Sequence, residues 1–108
     1  MIILRKKSTN HVEKIIQPGQ TEQFFDLDLS GNEAYDWNIK IRCMGKSSIT
    51  KITSLYNDDF IESTKYAFLG VRFNADTNIL VSGGSSCSLS VTNNESELMT
   101  CSVKVKTF

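Results

Sequence analysis

The chain has 108 residues, 40% of them hydrophobic and 22% charged, with 12 basic and 12 acidic side chains that cancel to a net charge of zero. This length suits one domain that can bury a core without disulfides or metal, and the balanced charge provides no global field to draw in nucleic acid or an anionic membrane. No apolar run approaches the ~20 residues that would span a bilayer, and three aliphatics ahead of the first charges do not make a secretory signal, so the sequence predicts a soluble protein made in the cytoplasm.

Residues 1–7 place Ile2, Ile3 and Leu4 before Arg5, Lys6 and Lys7, an apolar-then-basic segment that reads as an edge strand or as an arm reaching a neighbour. Val12, Ile15 and Ile16 lead into Gln17-Pro18-Gly19-Gln20. Pro-Gly is favoured at the centre of a type II turn, because proline presets one φ and glycine accepts the positive one. Phe25, Leu27 and Leu29 then alternate with Asp26, Asp28 and Ser30, giving strand, turn, strand. The longest alternation is Tyr35, Trp37, Ile39, Ile41 and Cys43 against Asp36, Asn38, Lys40 and Arg42. It predicts a strand whose inner face carries the only tryptophan as central core residue.

Between Ser47 and Asp59 the pattern weakens. Ile49, Ile52, Leu55 and Tyr56 fit a helical turn or a bulged strand, and the β-branched content favours strand. Tyr66, Phe68, Val71 and Phe73 form a further strand whose parity slips at Leu69-Gly70, where an interior glycine suggests a β-bulge. Asn78 to Val81 is a short strand, and Gly83-Gly84-Ser85-Ser86 a turn. At the end, Cys87, Leu89 and Val91 alternate with Ser and Thr. After Asn93-Asn94-Glu95-Ser96 the same period returns in Met99, Cys101, Val103 and Val105, which predicts a half-buried antiparallel hairpin. About eight short strands without a helix point to an all-β, single-domain antiparallel β-sandwich, jelly-roll-like, spanning residues 1–108, with an open barrel as the other solution.

The tests for chemistry return little. Cys43, Cys87 and Cys101 lie on the apolar parity of their strands and are expected as buried, reduced thiols. A Cys87–Cys101 bridge is the competing reading in an oxidising compartment. His11, the single histidine, has no nucleophile placed near it by sequence and reads as an exposed residue of a strand edge. Asp26-Leu27-Asp28-Leu29-Ser30-Gly31 matches the opening of a calcium-binding EF-hand loop, but the twelfth position is Trp37 instead of Glu and the flanks are strand-like. Asn57-Asp58-Asp59 and Asp76 would add oxygens only if the fold gathered them. Gly83 to Ser86 lacks the lysine of a phosphate-binding loop. The expectation is a non-enzyme with no catalytic residue, no cofactor and no metal.

The apolar-basic segment 1–7, the strand-Pro18-Gly19-strand opening and the Ser/Thr-alternating strands running to Val105 give a chain that resembles the small β-sandwich decoration or stapling proteins of tailed-phage capsids. The resemblance implies a structural virion protein that binds a protein lattice, as a homo-oligomer or one lattice-bound copy among many. It implies localisation to the virion, with a cytoplasmic location as the alternative. It carries over no functional residue: the partner-binding expectation for Ile2, Ile3, Leu4, Arg5, Lys6 and Lys7 comes from their own apolar and basic chemistry, as that of no nucleic-acid or membrane partner comes from the balanced charge. Two other functions fit an all-β surface. A carbohydrate-binding module would need exposed aromatics on one face, whereas Tyr35, Trp37, Tyr66, Phe68 and Phe73 share parity with aliphatics and are expected buried, leaving Tyr56 and Phe60 as exceptions. A small inhibitor or adaptor would pair an edge strand with its target.

Overall fold

A computed structural model describes residues 9–28, 34–57, 60–82 and 86–107. Eight strands follow in order: β1 (Thr9–Ile16), β2 (Thr21–Asp28), β3 (Ala34–Cys43), β4 (Lys46–Asn57), β5 (Phe60–Gly70), β6 (Ala75–Ser82), β7 (Ser86–Asn93) and β8 (Met99–Thr107). All pairings are antiparallel, and they form a five-stranded sheet ordered β1-β8-β3-β4-β5 facing a three-stranded sheet ordered β2-β7-β6. The predicted sandwich is the fold observed. It is jelly-roll-like where the two ends of the chain wrap together, β1 with β8 and β2 with β7, while β3, β4 and β5 run as a plain meander.

The core lies between the sheets. β3 buries Tyr35, Trp37, Ile39, Ile41 and Cys43 in strict alternation, and β8 does the same with Met99, Cys101, Val103 and Val105. From the smaller sheet come Phe24, Cys87, Leu89 and Val91. The final two strands are nevertheless not a hairpin: β7 belongs to the small sheet and β8 to the large one. Their apolar faces meet across the sandwich, an arrangement that buries both stripes at once and gives the same alternating letters as a hairpin would. The Pro18-Gly19 turn is likewise a corner between sheets. Gln20 N–H donates to Gln17 O at 3.0 Å and Gly19 has φ +76°, as the central position of a type II turn requires.

Asn93 ties these two corners together. Its side chain is fully buried; Nδ2 donates to Ile16 O and to Glu97 O, each at 2.9 Å, while Oδ1 accepts from Glu95 N–H at 2.8 Å. Its backbone pairs with the first corner as well, Gly19 N–H donating to Asn93 O and Asn93 N–H to Gln20 O.

Two local readings are corrected, and a third, the strand favoured between Ser47 and Asp59, is upheld. In β2 the register shifts between Phe24 and Leu27, so Phe24, not only the Phe25 parity, points into the core. Phe25 takes φ +66° at this bulge and still packs its ring 6.4 Å from that of Trp37. In β5 a bulge does occur, but at Tyr66: Lys51 pairs with Ala67 and Ile52 with Lys65. The strand ends at Gly70, leaving Val71 and Phe73 outside it. Gly70 is required for close approach, since a Cβ there would sit 2.3 Å from Ser47 O, and its φ is +103°. Finally, β4 is a strand of 12 residues whose inward positions are Ser48, Thr50, Ile52, Ser54 and Tyr56. Hydroxyls on the buried parity erased the apolar period there. Met44 and Gly45, both at positive φ between paired Cys43 and Lys46, make the tight β3–β4 connection.

Candidate functional site: the outer face of the five-stranded sheet

Residues of neighbouring strands on the outer face line up in rows across the sheet. One row is Lys106, Asp36, Thr53 and Thr64; the next is His11, Lys104, Asn38, Lys51 and Ala67. Then come Glu13, Ser102, Lys40, Ile49 and Leu69, and last Ile15, Thr100, Arg42 and Ser47. Strand geometry sets neighbours within a row about 4.8 Å apart and rows about 6.8 Å apart. Lys104, Lys40 and Arg42 therefore form a diagonal file of cations over the two central strands, with Lys106 continuing it. Across these four rows the acids are Glu13 and Asp36.

Among the described residues, shallow depressions open on this face, and Lys40 borders three of them. One of about 130 Å³ lies between Glu13, Lys40, Arg42, Thr100 and Ser102. A second, about 320 Å³, runs over His11, Asn38, Lys40, Ile49, Ser102 and Lys104. The third, about 310 Å³, follows the sheet toward Leu69 and Gly70. His11 Nε2 and Ser102 Oγ share a hydrogen bond that joins β1 to β8 here. Lys40, Arg42 and Lys104 make no hydrogen bond or ion pair with another described residue, so their charges remain available to a ligand.

Asp36, by contrast, is engaged. Tyr66 O–H donates to its Oδ1 and Oδ2 at 2.9 and 3.2 Å, and Thr53 O–H to Oδ1 at 3.1 Å. Local burial, with the Asp36 hydrogen bond and charge added, holds the Tyr66 phenol above its usual range. Tyr66 is 51% exposed, which overturns the expectation that its parity buries it. The bulge is the reason, because it rotates this one side chain onto the outer face. Phe68 and Phe73 are half-buried, Arg72 lies 4.7 Å over the Phe68 ring, and Tyr56 is buried instead of exposed.

The remaining sequence candidates are dispersed. Cys43, Cys87 and Cys101 are free and buried as expected. Burial pushes the Cys87 thiol to about 11 and that of Cys101 to about 12; Cys43 is raised by burial and by Glu95 and Glu97. Asp26 is exposed on β2 and Asp76, bonded to Asn94 Nδ2 at 3.0 Å, on β6. Among the described residues no group of three or more His, Cys, Asp or Glu could hold a metal ion. Ile2, Ile3, Leu4, Arg5, Lys6 and Lys7 lie outside the described residues, as do Ser30-Gly31, Asp58-Asp59 and Gly83 to Ser85. Sequence reading missed the cation file because its members come from strands about sixty residues apart, brought side by side only when β8 inserts next to β3.

No family model matches the chain, and no curated protein matches it. Two solved structures do. The tailspike protein of Acinetobacter phage vB_ApiP_P1 matches at TM-score 0.51 and 9% identity, over 86% of this chain and 20% of that one. Tailspike protein gp49 of Acinetobacter baumannii bacteriophage Fri1, described as a capsular polysaccharide depolymerase, matches at TM-score 0.50 and 10% identity. That match covers 93% of this chain and 17% of the tailspike. The chain thus spans about a fifth of each neighbour, and at these identities the likeness is one of fold. Both of these neighbours are phage tailspike proteins.

Proposed function

We propose that this chain is a non-enzymatic structural module of a phage virion, a sandwich that attaches to the particle and works by presenting a binding face. The observation that carries the reading is the match of nearly the whole chain to a piece of two phage tailspikes. The polar outer face of the five-stranded sheet adds support, since among the described residues it holds shallow depressions bordered by Lys40, Arg42 and Lys104, which have no described partner. Attachment runs through residues 1–7. There Ile2, Ile3 and Leu4 bury against a capsid or other virion protein, and Arg5, Lys6 and Lys7 add a salt-sensitive attraction to an acidic neighbour. Many weak copies on a repeating lattice reach high avidity without a large interface each.

Mass spectrometry and antibody labelling of purified particles test this. The chain should be found on them, and replacing Ile2, Ile3 and Leu4 by Ser should remove it while leaving its melting temperature unchanged. Particles that lack the chain altogether would refute the virion assignment, and undiminished incorporation of the triple variant would refute the attachment mode.

A further inference from the structure

We infer that the cation file Lys104, Lys40 and Arg42 on the outer face of the five-stranded sheet is a binding track for an acidic polysaccharide whose sugar rings carry carboxylates. The inference rests on the reading of the chain as a presenting module and names what that face takes.

Charge distribution carries the argument furthest. The chain as a whole is neutral, yet the four central rows hold Lys106, Lys104, Lys51, Lys40 and Arg42 against Glu13 and Asp36, and Asp36 is occupied by Tyr66 and Thr53. Three of these cations have no partner among the described residues, an arrangement that favours a polyanion laid along the strands. The groups between them suit sugars. Thr100, Ser102, Asn38 and Ser47 offer hydroxyl and amide donors and acceptors, while Ile49 and the lysine stems give apolar ground for the C–H faces of the rings.

Other polyanions and partners fit less well. The exposed aromatics that a neutral-sugar platform requires are not what this face offers, and a glycan held by its carboxylates does not depend on them. Single-stranded nucleic acid does, because its bases stack on aromatic platforms, whereas Tyr66 on this face is tied through its hydroxyl to Asp36. Protein interfaces deplete lysine at their centre and enrich aromatics and methionine, the reverse of this face. The depressions are open and follow one another along the face with Lys40 on the border of each, which fits a chain lying on the surface better than a small anion in a pocket.

The test uses the full chain and three probes in affinity electrophoresis: polygalacturonate, neutral dextran, and a single-stranded oligodeoxynucleotide. Polygalacturonate should retard the protein and dextran should not, and the retardation should fade at about 0.3 M salt, where charges are screened within a few ångströms. Lys40→Glu and, separately, Lys104→Gln should each weaken it by about tenfold, or about 1.4 kcal/mol, with melting temperatures unchanged. Lys65→Glu, an equal charge reversal on the exposed β5 edge away from the track, should leave it intact. Equal retardation by dextran, tighter binding of the oligonucleotide, or a Lys65→Glu effect as large as that of Lys40→Glu would overturn the inference. A chain that is present on particles but indifferent to polygalacturonate would sink this inference alone, whereas absence from particles strikes the virion reading.

Discussion

Replacing Asn93 by Ala should be among the most damaging polar substitutions in the molecule. The change removes three hydrogen bonds, two donated by Nδ2 to Ile16 O and Glu97 O and one accepted from Glu95 N–H. Glu97 O and Glu95 N–H lie in part-buried settings where water can substitute, so each loss is worth about 0.5–1 kcal/mol. The bond to Ile16 O is buried, and an orphaned buried carbonyl costs about 1–3 kcal/mol. The sum is about 3 kcal/mol, which for a domain of this size lowers the melting temperature by on the order of 10–20 °C. Asn93→Asp should be at least as severe, since it keeps the acceptor but sets a carboxylate against two carbonyl oxygens. The control is Asn94→Ala next door, whose exposed side chain bonds only Asp76 at the surface and whose loss should stay within about 0.5 kcal/mol. Urea titration of the three variants decides the matter. Equal midpoints for Asn93→Ala and Asn94→Ala would refute the view that one buried amide braces both sheet-crossing corners.

Two further outcomes follow from the core. Trp37→Ala should cost about 3–5 kcal/mol by denaturant titration, and Ser54→Ala a smaller amount, about 1–2 kcal/mol, because it orphans the indole N–H that donates to Ser54 Oγ at 3.1 Å. A Ser54→Ala variant less stable than Trp37→Ala would contradict the packing described. For the thiols, the folded pKa values of Cys87 and Cys101 lie above the ordinary 9.0, so the unfolded chain loses these protons first. Their contribution is fully present below pH 9 and is lost as pH rises toward 11 and 12. Thermal melts of Cys87→Ala with Cys101→Ala should show a flatter decline over that alkaline window than the parent, and labelling by a thiol reagent at neutral pH should stay slow until denaturant is added. Rapid labelling of the native protein would show the thiols to be accessible.

What the sequence made legible was the wall of the sandwich, because β3 and β8 keep strict alternation and each inward letter is apolar. Where function or packing places hydroxyls inside, as at Ser48, Thr50 and Ser54 of β4, hydropathy goes silent even though the strand is the longest in the molecule. Periodicity also does not say which strands pair. The β7 and β8 stripes are identical in pattern whether the strands are neighbours or face each other, and the structure takes the second course. Bulges at Phe25 and Tyr66 moved parity by one, which hid Phe24 from the predicted core and put Tyr66 into it. Asn93 was hidden for a plainer reason: a polar letter inside a polar run reads as loop, and nothing in the letters reveals that its amide bonds both Ile16 O and Glu97 O. The cation file needed the β3–β8 pairing before it existed as a feature.

The placement of β8 between β1 and β3 has a consequence for how the chain comes to be folded. His11 and Ser102, which join in the finished sheet, are 91 residues apart in sequence. The place between β1 and β3 is thus filled by β8, the most C-terminal of the described strands, and until it is synthesised β1 has no hydrogen-bonding neighbour among the described strands and β3 has an open edge. Such non-local pairing makes for slow closure, since the loop entropy must be overcome before the contacts reward it. A nascent chain stalled short of Met99 would expose the inner stripe of β3, Tyr35 through Cys43, beside an unpaired backbone edge, a combination prone to aggregation. Closure of the large sheet is therefore tied to the nine residues of β8, whose arrival, and not local sequence, sets the moment at which the sandwich can form.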